Sequence, residues 1–115
     1  MIKGMHGMFY TPKAEEAREF IREKLGFDHV DAGDGWLIFD VPDAEFGVHP
    51  TMEGGETMHQ LSFYCDDIEA TMAELREKGV EFLRDVEDEG YGLTTLFELP
   101  GGVTVKLYEP RHAQP

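Results

Sequence analysis

Cysteine and long apolar runs are both scarce in this chain of 115 residues. The single cysteine, Cys65, excludes an internal disulfide and a thiolate zinc cluster, and we expect it to be a small buried residue. No apolar run approaches the roughly 20 residues that span a membrane, and the first residues do not resemble an export signal. With a hydrophobic content of 41%, these absences predict a globular cytoplasmic protein of one domain.

Basic residues are also few, with 10 lysines and arginines against 24 aspartates and glutamates, giving a net charge of −14. A nucleic-acid backbone needs a basic surface, and an anionic membrane repels an acidic one. We therefore expect neither nucleic acid nor membrane as a partner. The acidic residues are scattered along the chain, which favours solubility as their role, and a cleft that attracts a cationic ligand is the alternative.

What the chain does contain is an internal repeat with an offset of 54 residues. Phe9-Tyr10 recurs as Phe63-Tyr64, and Arg22-Glu23-Lys24 recurs as Arg76-Glu77-Lys78. The same offset sets His6 against Gln60. Two copies of a half-size module are predicted, and ligands commonly bind in the cleft between such copies.

The first module, about residues 1–51, predicts the order β-α-β-β-β. A strand is expected over residues 2–10, followed by a helix that begins at Thr11-Pro12 and ends at Gly26. Three further strands are expected over residues 27–32, 36–41 and 45–49, separated by glycine and proline turns.

The second module, about residues 58–110, predicts the same order after a linker at 52–57. A strand is expected over 58–64, then a helix capped by Asp66-Asp67 and stopped by Gly79. Strands follow over 80–86, 91–99 and 103–108, with Pro100-Gly101-Gly102 as a tight hairpin and 111–115 as a tail.

This order and its landmarks resemble the vicinal oxygen chelate superfamily, which includes glyoxalase I, bleomycin-resistance proteins and extradiol dioxygenases. The resemblance is carried by His6, by the helix ends at residues 20–27 and 75–82, by Asp67-Ile68-Glu69-Ala70, and by residues 100–110. It implies an α+β fold in which tandem βαβββ modules form a curved, partly open trough of mixed sheet with helices on the outside.

The resemblance also defines where a metal site would lie. Metal-dependent members place a histidine or glutamine in the first strand and a glutamate in the last strand of each module. His6 and Gln60 fill the first-strand positions. The glutamate positions hold Lys106 and Gly47, and Gly47 is flanked at two residues' distance by Glu45 and His49.

Because a protonated ammonium cannot coordinate a cation, Lys106 argues against the standard four-ligand site. We expect no cofactor, and a divalent metal at His6 and Gln60, in an altered set with His49 or Glu45, is the alternative. Lys106 itself either is a solvated charge at the rim or holds an anionic or carbonyl group of a ligand.

Strand alternation directs Thr104, Lys106 and Tyr108 towards the trough, opposite the apolar Val105 and Leu107. The residues predicted to bind a ligand are His6, Gln60, Lys106, His49, Tyr10, Tyr64 and Trp36. For any one of them, core packing or a dimer contact is the alternative role.

Three functions are compatible with these features. The first is a protein of the bleomycin-resistance type that binds a small organic molecule in the trough without a metal, and we prefer it because the carboxylate positions are lost. The second is a glyoxalase-type or dioxygenase-type enzyme with a rearranged metal site. The third is a degenerate homologue that assembles with a partner, which a trough filled by its own side chains would favour. In each case we expect a homodimer.

Overall fold

The computed structural model of the protein describes residues 6–45, 47–48, 50–51, 53–57 and 60–113. Helix α1 spans Ala14–Phe20 and continues as a π-helical turn over Ile21–Leu25, and helix α2 spans Ile68–Glu77. The strands are β1 (Asp28–Asp31), β2 (Leu37–Asp40), β3 (Ser62–Tyr64), β4 (Glu87–Asp88), β5 (Gly92–Leu99) and β6 (Val103–Pro110). An open mixed sheet has the order β3-β6-β5-β4, and β1 and β2 form a separate hairpin, so the predicted α+β class is confirmed.

The first helix begins later than predicted, at Ala14 instead of at Thr11-Pro12. The Thr11 hydroxyl donates a hydrogen bond to the Pro100 carbonyl at 2.9 Å and accepts one from the Lys13 amide at 3.2 Å. Thr11 is therefore used to join the two modules and does not cap the helix. The predicted end is confirmed, since Gly26 has a left-handed φ of 71° and its amide bonds the Ile21 carbonyl at 3.0 Å.

The second helix is capped by two carboxylates. Asp67 accepts a hydrogen bond from the Ala70 amide at 3.1 Å, as predicted for an N-cap. Glu109, at the end of β6, accepts one from the Ile68 amide at 2.9 Å. Because the start of α2 has acceptors from both sides, its position relative to β6 is fixed by hydrogen bonds as well as by packing.

The longest strands, β5 and β6, form the hairpin that was predicted around Pro100-Gly101-Gly102. Gly101 has a φ of 97°, and the Gly102 amide closes the turn on the Leu99 carbonyl at 3.0 Å. Strand β6 lies in the middle of the sheet, antiparallel to β5 and parallel to β3. Its backbone is therefore hydrogen-bonded on both sides, which fixes the direction in which each of its side chains points.

The prediction of a strand over residues 80–86 is wrong. This segment makes one isolated bridge, between Phe82 and Phe97, and one further backbone bond from the Leu83 amide to the Leu96 carbonyl at 2.8 Å. The guanidinium of Arg84 donates a hydrogen bond to the Thr94 carbonyl at 2.8 Å. The ladder on this edge of β5 is formed instead by β4, in which Glu87 pairs with Thr94.

Two predicted strands of the first module are also not formed where the structure describes them. Residues 6–10 are irregular and run beside β3 by side-chain contact, with the rings of Phe9 and Phe63 packed edge to face at 6.2 Å. Of residues 45–49, Phe46 and His49 lie outside the described residues, and Glu45, Gly47 and Val48 are irregular.

The hydrophobic core lies between the helices and one face of the sheet. Its buried residues are Ala17, Ile21, Ile68, Met72, Val80, Phe97, Leu99, Val105 and Leu107, of which the first two belong to the first module. The first helix packs on this core through Phe20, whose ring stacks on Phe97 at 6.4 Å. Cys65 is partly buried against the same core, and burial raises the pKa of its thiol.

None of the helices in the described part of the chain is both long and apolar enough to cross a membrane.

Candidate functional site

The two faces of β6 have different environments. Val105 and Leu107 point into the core and are buried. Thr104, Lys106 and Tyr108 alternate with them on the opposite face, which we call the trough face, as strand alternation predicts. The register places Ser62 and Leu96 beside Lys106, and Tyr64 and Thr94 beside Tyr108.

A cavity of about 380 Å³ opens on the trough face. Strands β5 and β6 and the two residues before β3 supply one wall, and the irregular segment before α1 supplies the other. The lining residues are Met8, Phe9, Tyr10, Gln60, Leu61, Leu96, Val103, Thr104 and Lys106. The volume falls in the range of small-molecule sites, which also combine an apolar lining with a few polar groups.

The structure brings three of the predicted ligand-binding residues together in this cavity. Tyr10 from the first module and Gln60 from the second line it together with Lys106. Tyr64 lies further along the trough face, beside Tyr108 in the neighbouring strand. That these residues bind a ligand stays a prediction.

The other predicted residues are His6, His49 and Trp36, and neither His6 nor Trp36 is among the described lining residues. His6 is exposed, and His49 lies outside the described residues. Trp36 is half exposed, and the guanidinium of Arg18 lies over its ring at 4.5 Å. Trp36 therefore contacts the first helix through Arg18.

Lys106 has polar neighbours that connect it to the β4–β5 turn, residues 89–91. Its ammonium donates a hydrogen bond to the Tyr91 hydroxyl at 3.3 Å and lies 3.7 Å from a carboxylate oxygen of Glu89. The Tyr91 hydroxyl in turn donates a hydrogen bond to Glu89. This bond, followed by the nearby charge of Lys106, lowers the pKa of Glu89.

The far end of the trough face is filled by the chain's own aromatic rings. Tyr108 packs edge to face on Tyr91 at 5.7 Å and lies 6.4 Å from His112. His112 Nε2 lies 2.8 Å from Glu45 Oε1, which joins the end of the chain to the first module. Burial, followed by the charge of Glu45, raises the pKa of Tyr108.

Sequence reasoning missed Glu89 as a neighbour of Lys106 and did not include Tyr91 among the ligand-binding residues. The flanking glycines Gly90 and Gly92 were the available signal for Tyr91. Gly90 has a φ of 84°, so the turn takes a conformation that few other residues adopt. The pairing of His112 with Glu45 had no sequence signal, because 67 residues separate them.

Comparison with known proteins places this geometry in a family. The profile of the Glyoxalase/Bleomycin resistance protein/Dioxygenase superfamily matches residues 5–107. The chain belongs to this superfamily. An uncharacterized protein, YetH, from Bacillus subtilis (strain 168) is 29% identical over 110 residues, which cover 87% of this chain and 92% of that protein.

Solved structures of the superfamily share the fold. TnmS3, an antibiotic binding protein from Streptomyces sp. CB03234, matches with a TM-score of 0.65 and 23% identity over 96% of this chain and 99% of its own. A superfamily member from Sphaerobacter thermophilus DSM 20745 matches with a TM-score of 0.61 and 23% identity over 93% and 97% of the two chains. At these identities the likeness establishes the open α+β architecture.

The described residues do not fit the metal site of metal-dependent superfamily members. The position of the second module's glutamate holds Lys106, whose ammonium is a cation paired with Glu89 and has no lone pair to donate. Within the described ranges, no three side chains of the metal-ligating types are grouped closely enough to hold an ion. We therefore derive no chemical step through a metal.

Proposed function

We propose that this chain binds a small organic molecule in the cavity on the trough face, and that it does so without the four-ligand metal site of its superfamily. The observation that supports this most is the convergence of Tyr10, Gln60 and Lys106 on one largely apolar cavity. An aromatic ring, an amide and an ammonium would orient a ligand whose skeleton is held by Met8, Leu61, Leu96 and Val103.

The chemistry of these side chains favours binding over catalysis. Gln60 donates and accepts hydrogen bonds but does not titrate, and the ammonium of Lys106 is paired with the carboxylate of Glu89 at 3.7 Å. A general base or a metal-bound water would require a different group at this place. That a superfamily structure of known role, TnmS3, is an antibiotic binding protein is consistent with such a role.

Filling the cavity tests the proposal. The neutral fluorophore N-phenyl-1-naphthylamine should bind saturably to the wild-type protein, and Leu96→Trp should weaken this binding at least tenfold because the larger ring enters the cavity. Leu83→Trp is the matched control, since Leu83 is half exposed and does not line the cavity. Equal binding by both variants, with both folded in thermal unfolding, would contradict the proposal.

The same preparation tests the metal-free state. Elemental analysis of protein purified without chelator or histidine tag should find no stoichiometric divalent metal, in wild type or in His6→Ala. Near-stoichiometric metal that is lost in His6→Ala would instead support the enzyme hypothesis with a rearranged site.

A further inference from the structure

Lys106 is shared between the cavity and the β4–β5 turn. It lines the cavity, while its ammonium contacts Tyr91 at 3.3 Å and Glu89 at 3.7 Å. Its side chain is 19% exposed, so its charge is mostly shielded from water. Among the described lining residues it is the one carrying a charge at neutral pH, and any charge on a ligand would meet it first.

The ammonium of Lys106 has more N–H groups than it uses for hydrogen bonds to the described residues. It carries three N–H groups, and among the described residues it makes one hydrogen bond, to the Tyr91 hydroxyl. At 3.7 Å, Glu89 provides an ion pair and not a second hydrogen bond. An acceptor oxygen placed in the cavity would therefore find an N–H group that is not engaged.

Glu89 does not depend on Lys106 to remain ionised. It accepts the hydrogen bond of the Tyr91 hydroxyl, which is the largest cause of its lowered pKa, and Thr94 and the charge of Arg84 act in the same direction. If Lys106 turns towards a ligand, Glu89 keeps these neighbours. Glu89 is thus a resident anion that competes with a ligand for the ammonium.

From this arrangement we propose that the ligand carries an anionic oxygen on an apolar skeleton, that Lys106 anchors this oxygen, and that Glu89 weakens the anchorage by competing for the same ammonium. This inference rests on the proposed function, because it names the ligand class of the same cavity. The chain's net charge of −14 opposes any anion at long range, so a local cation is needed for such a ligand to bind.

Two fluorophores with a common skeleton test the inference at fixed ionic strength. 8-Anilinonaphthalene-1-sulfonate carries an anionic group, and N-phenyl-1-naphthylamine lacks it. Lys106→Met should weaken sulfonate binding about tenfold or more, the lower limit expected for a hydrogen bond to a charged group. Glu89→Gln should strengthen sulfonate binding about tenfold, because the competing charge is lost. Each change is read as the ratio of the sulfonate's affinity to the neutral fluorophore's affinity in the same variant, so that a general effect of the substitution on the cavity cancels.

The chain offers a matched pair of controls on α2, where Lys78 and Glu74 lie 4.0 Å apart and both are exposed. Lys78→Met and Glu74→Gln make the same changes of net charge far from the cavity, and should leave both affinities within twofold. An equal response to Lys106→Met and Lys78→Met would show that net charge, and not the anchor, controls binding, and would overturn the inference.

The outcomes separate this inference from the proposed function. Suppose that the neutral fluorophore binds and that Leu96→Trp weakens its binding, but that neither Lys106→Met nor Glu89→Gln changes the affinity for the sulfonate. The cavity proposal then holds and the anionic ligand class is wrong. If neither fluorophore binds the cavity, both proposals fail.

Discussion

At the scale of single residues, the β4–β5 turn is positioned by one ion pair. Arg111 makes two contacts of 2.6 Å with the carboxylate of Asp88 and donates a hydrogen bond to the Gly90 carbonyl at 2.8 Å. Asp88 also accepts a hydrogen bond from the Gly90 amide at 2.9 Å. Because this turn carries Glu89 and Tyr91, Arg111 acts indirectly on the environment of Lys106.

We expect the pKa of Asp88 to be about 2, below its ordinary 3.8, because Arg111 and the Gly90 amide both stabilise the carboxylate. Because the pKa of Asp88 is lowered by folding, the pair with Arg111 stabilises the folded chain fully at pH values above 3.8. This stabilisation is lost as the pH falls from 3.8 towards 2. Arg111→Met should return the pKa of Asp88 towards 3.8 in an NMR titration of the carboxyl groups.

The control for Arg111→Met is Arg22→Met, which removes an exposed arginine paired with Glu23 on the first helix. It should leave the titration of Asp88 unchanged. If Arg111→Met also leaves it unchanged, the contact with Arg111 does not form in solution.

At the scale of elements, the two carboxylates at the start of α2 accept hydrogen bonds from different backbone amides. Asp67, directly before the helix, accepts a hydrogen bond from the Ala70 amide. Glu109, at the end of β6, accepts one from the Ile68 amide. Since each satisfies a different N–H group, the two contributions should be nearly independent.

Asp67→Ala and Glu109→Ala should each lower the free energy of unfolding by about 1 kcal/mol, and the double variant by about 2 kcal/mol. Urea unfolding followed by circular dichroism measures all three. Asp66→Ala, which changes an exposed neighbour, should remain within about 0.5 kcal/mol of wild type. A double variant no less stable than either single one would mean that one acceptor replaces the other.

Elements defined by local chemistry were predictable from the sequence. The glycine that ends the first helix, the Asp67 cap and the β5–β6 hairpin each depend on residues within one turn of the feature. The segment 80–86 was not, because β5 pairs along this edge with β4, through the contact of Glu87 with Thr94. Alternation of apolar residues cannot disclose such a contact.

The candidate site was predictable to the same degree. Alternation along β6 placed Lys106 on the trough face, and the resemblance to the superfamily assigned Gln60 to the same site. Glu89 was not predictable, because its approach to Lys106 depends on the conformation of the turn at Gly90. The contact of Trp36 with Arg18 was not predictable either, because it joins the residue before β2 to a helix residue 18 positions earlier.

At the scale of the whole molecule, the two modules contribute unequally to the core. Among the described residues, the first module supplies Ala17 and Ile21 to the buried set, and every side chain of β1 is exposed. The second module supplies the sheet and the remaining buried side chains. A cytoplasmic location and a homodimer stay predictions.

We expect the first module to open before the second, because fewer buried contacts hold it. Thr11→Val removes its hydrogen bond to Pro100 at 2.9 Å and should accelerate amide exchange of α1 by about fivefold, corresponding to about 1 kcal/mol, without changing β5 or β6. Hydrogen exchange followed by mass spectrometry measures both regions. Thr57→Val, in the exposed linker, is the control, and equal acceleration in both modules would contradict the expectation.

The cavity has two unlike walls, and this difference bears on how the protein can change over evolutionary time. Lys106 belongs to a strand paired on both sides, so its place is inherited with the sheet. Met8 and Tyr10 belong to an irregular segment with no strand register to preserve. Substitutions or insertions there can reshape the pocket at little cost to folding, so new guests can be acquired by remodelling one wall while the ammonium stays where it is.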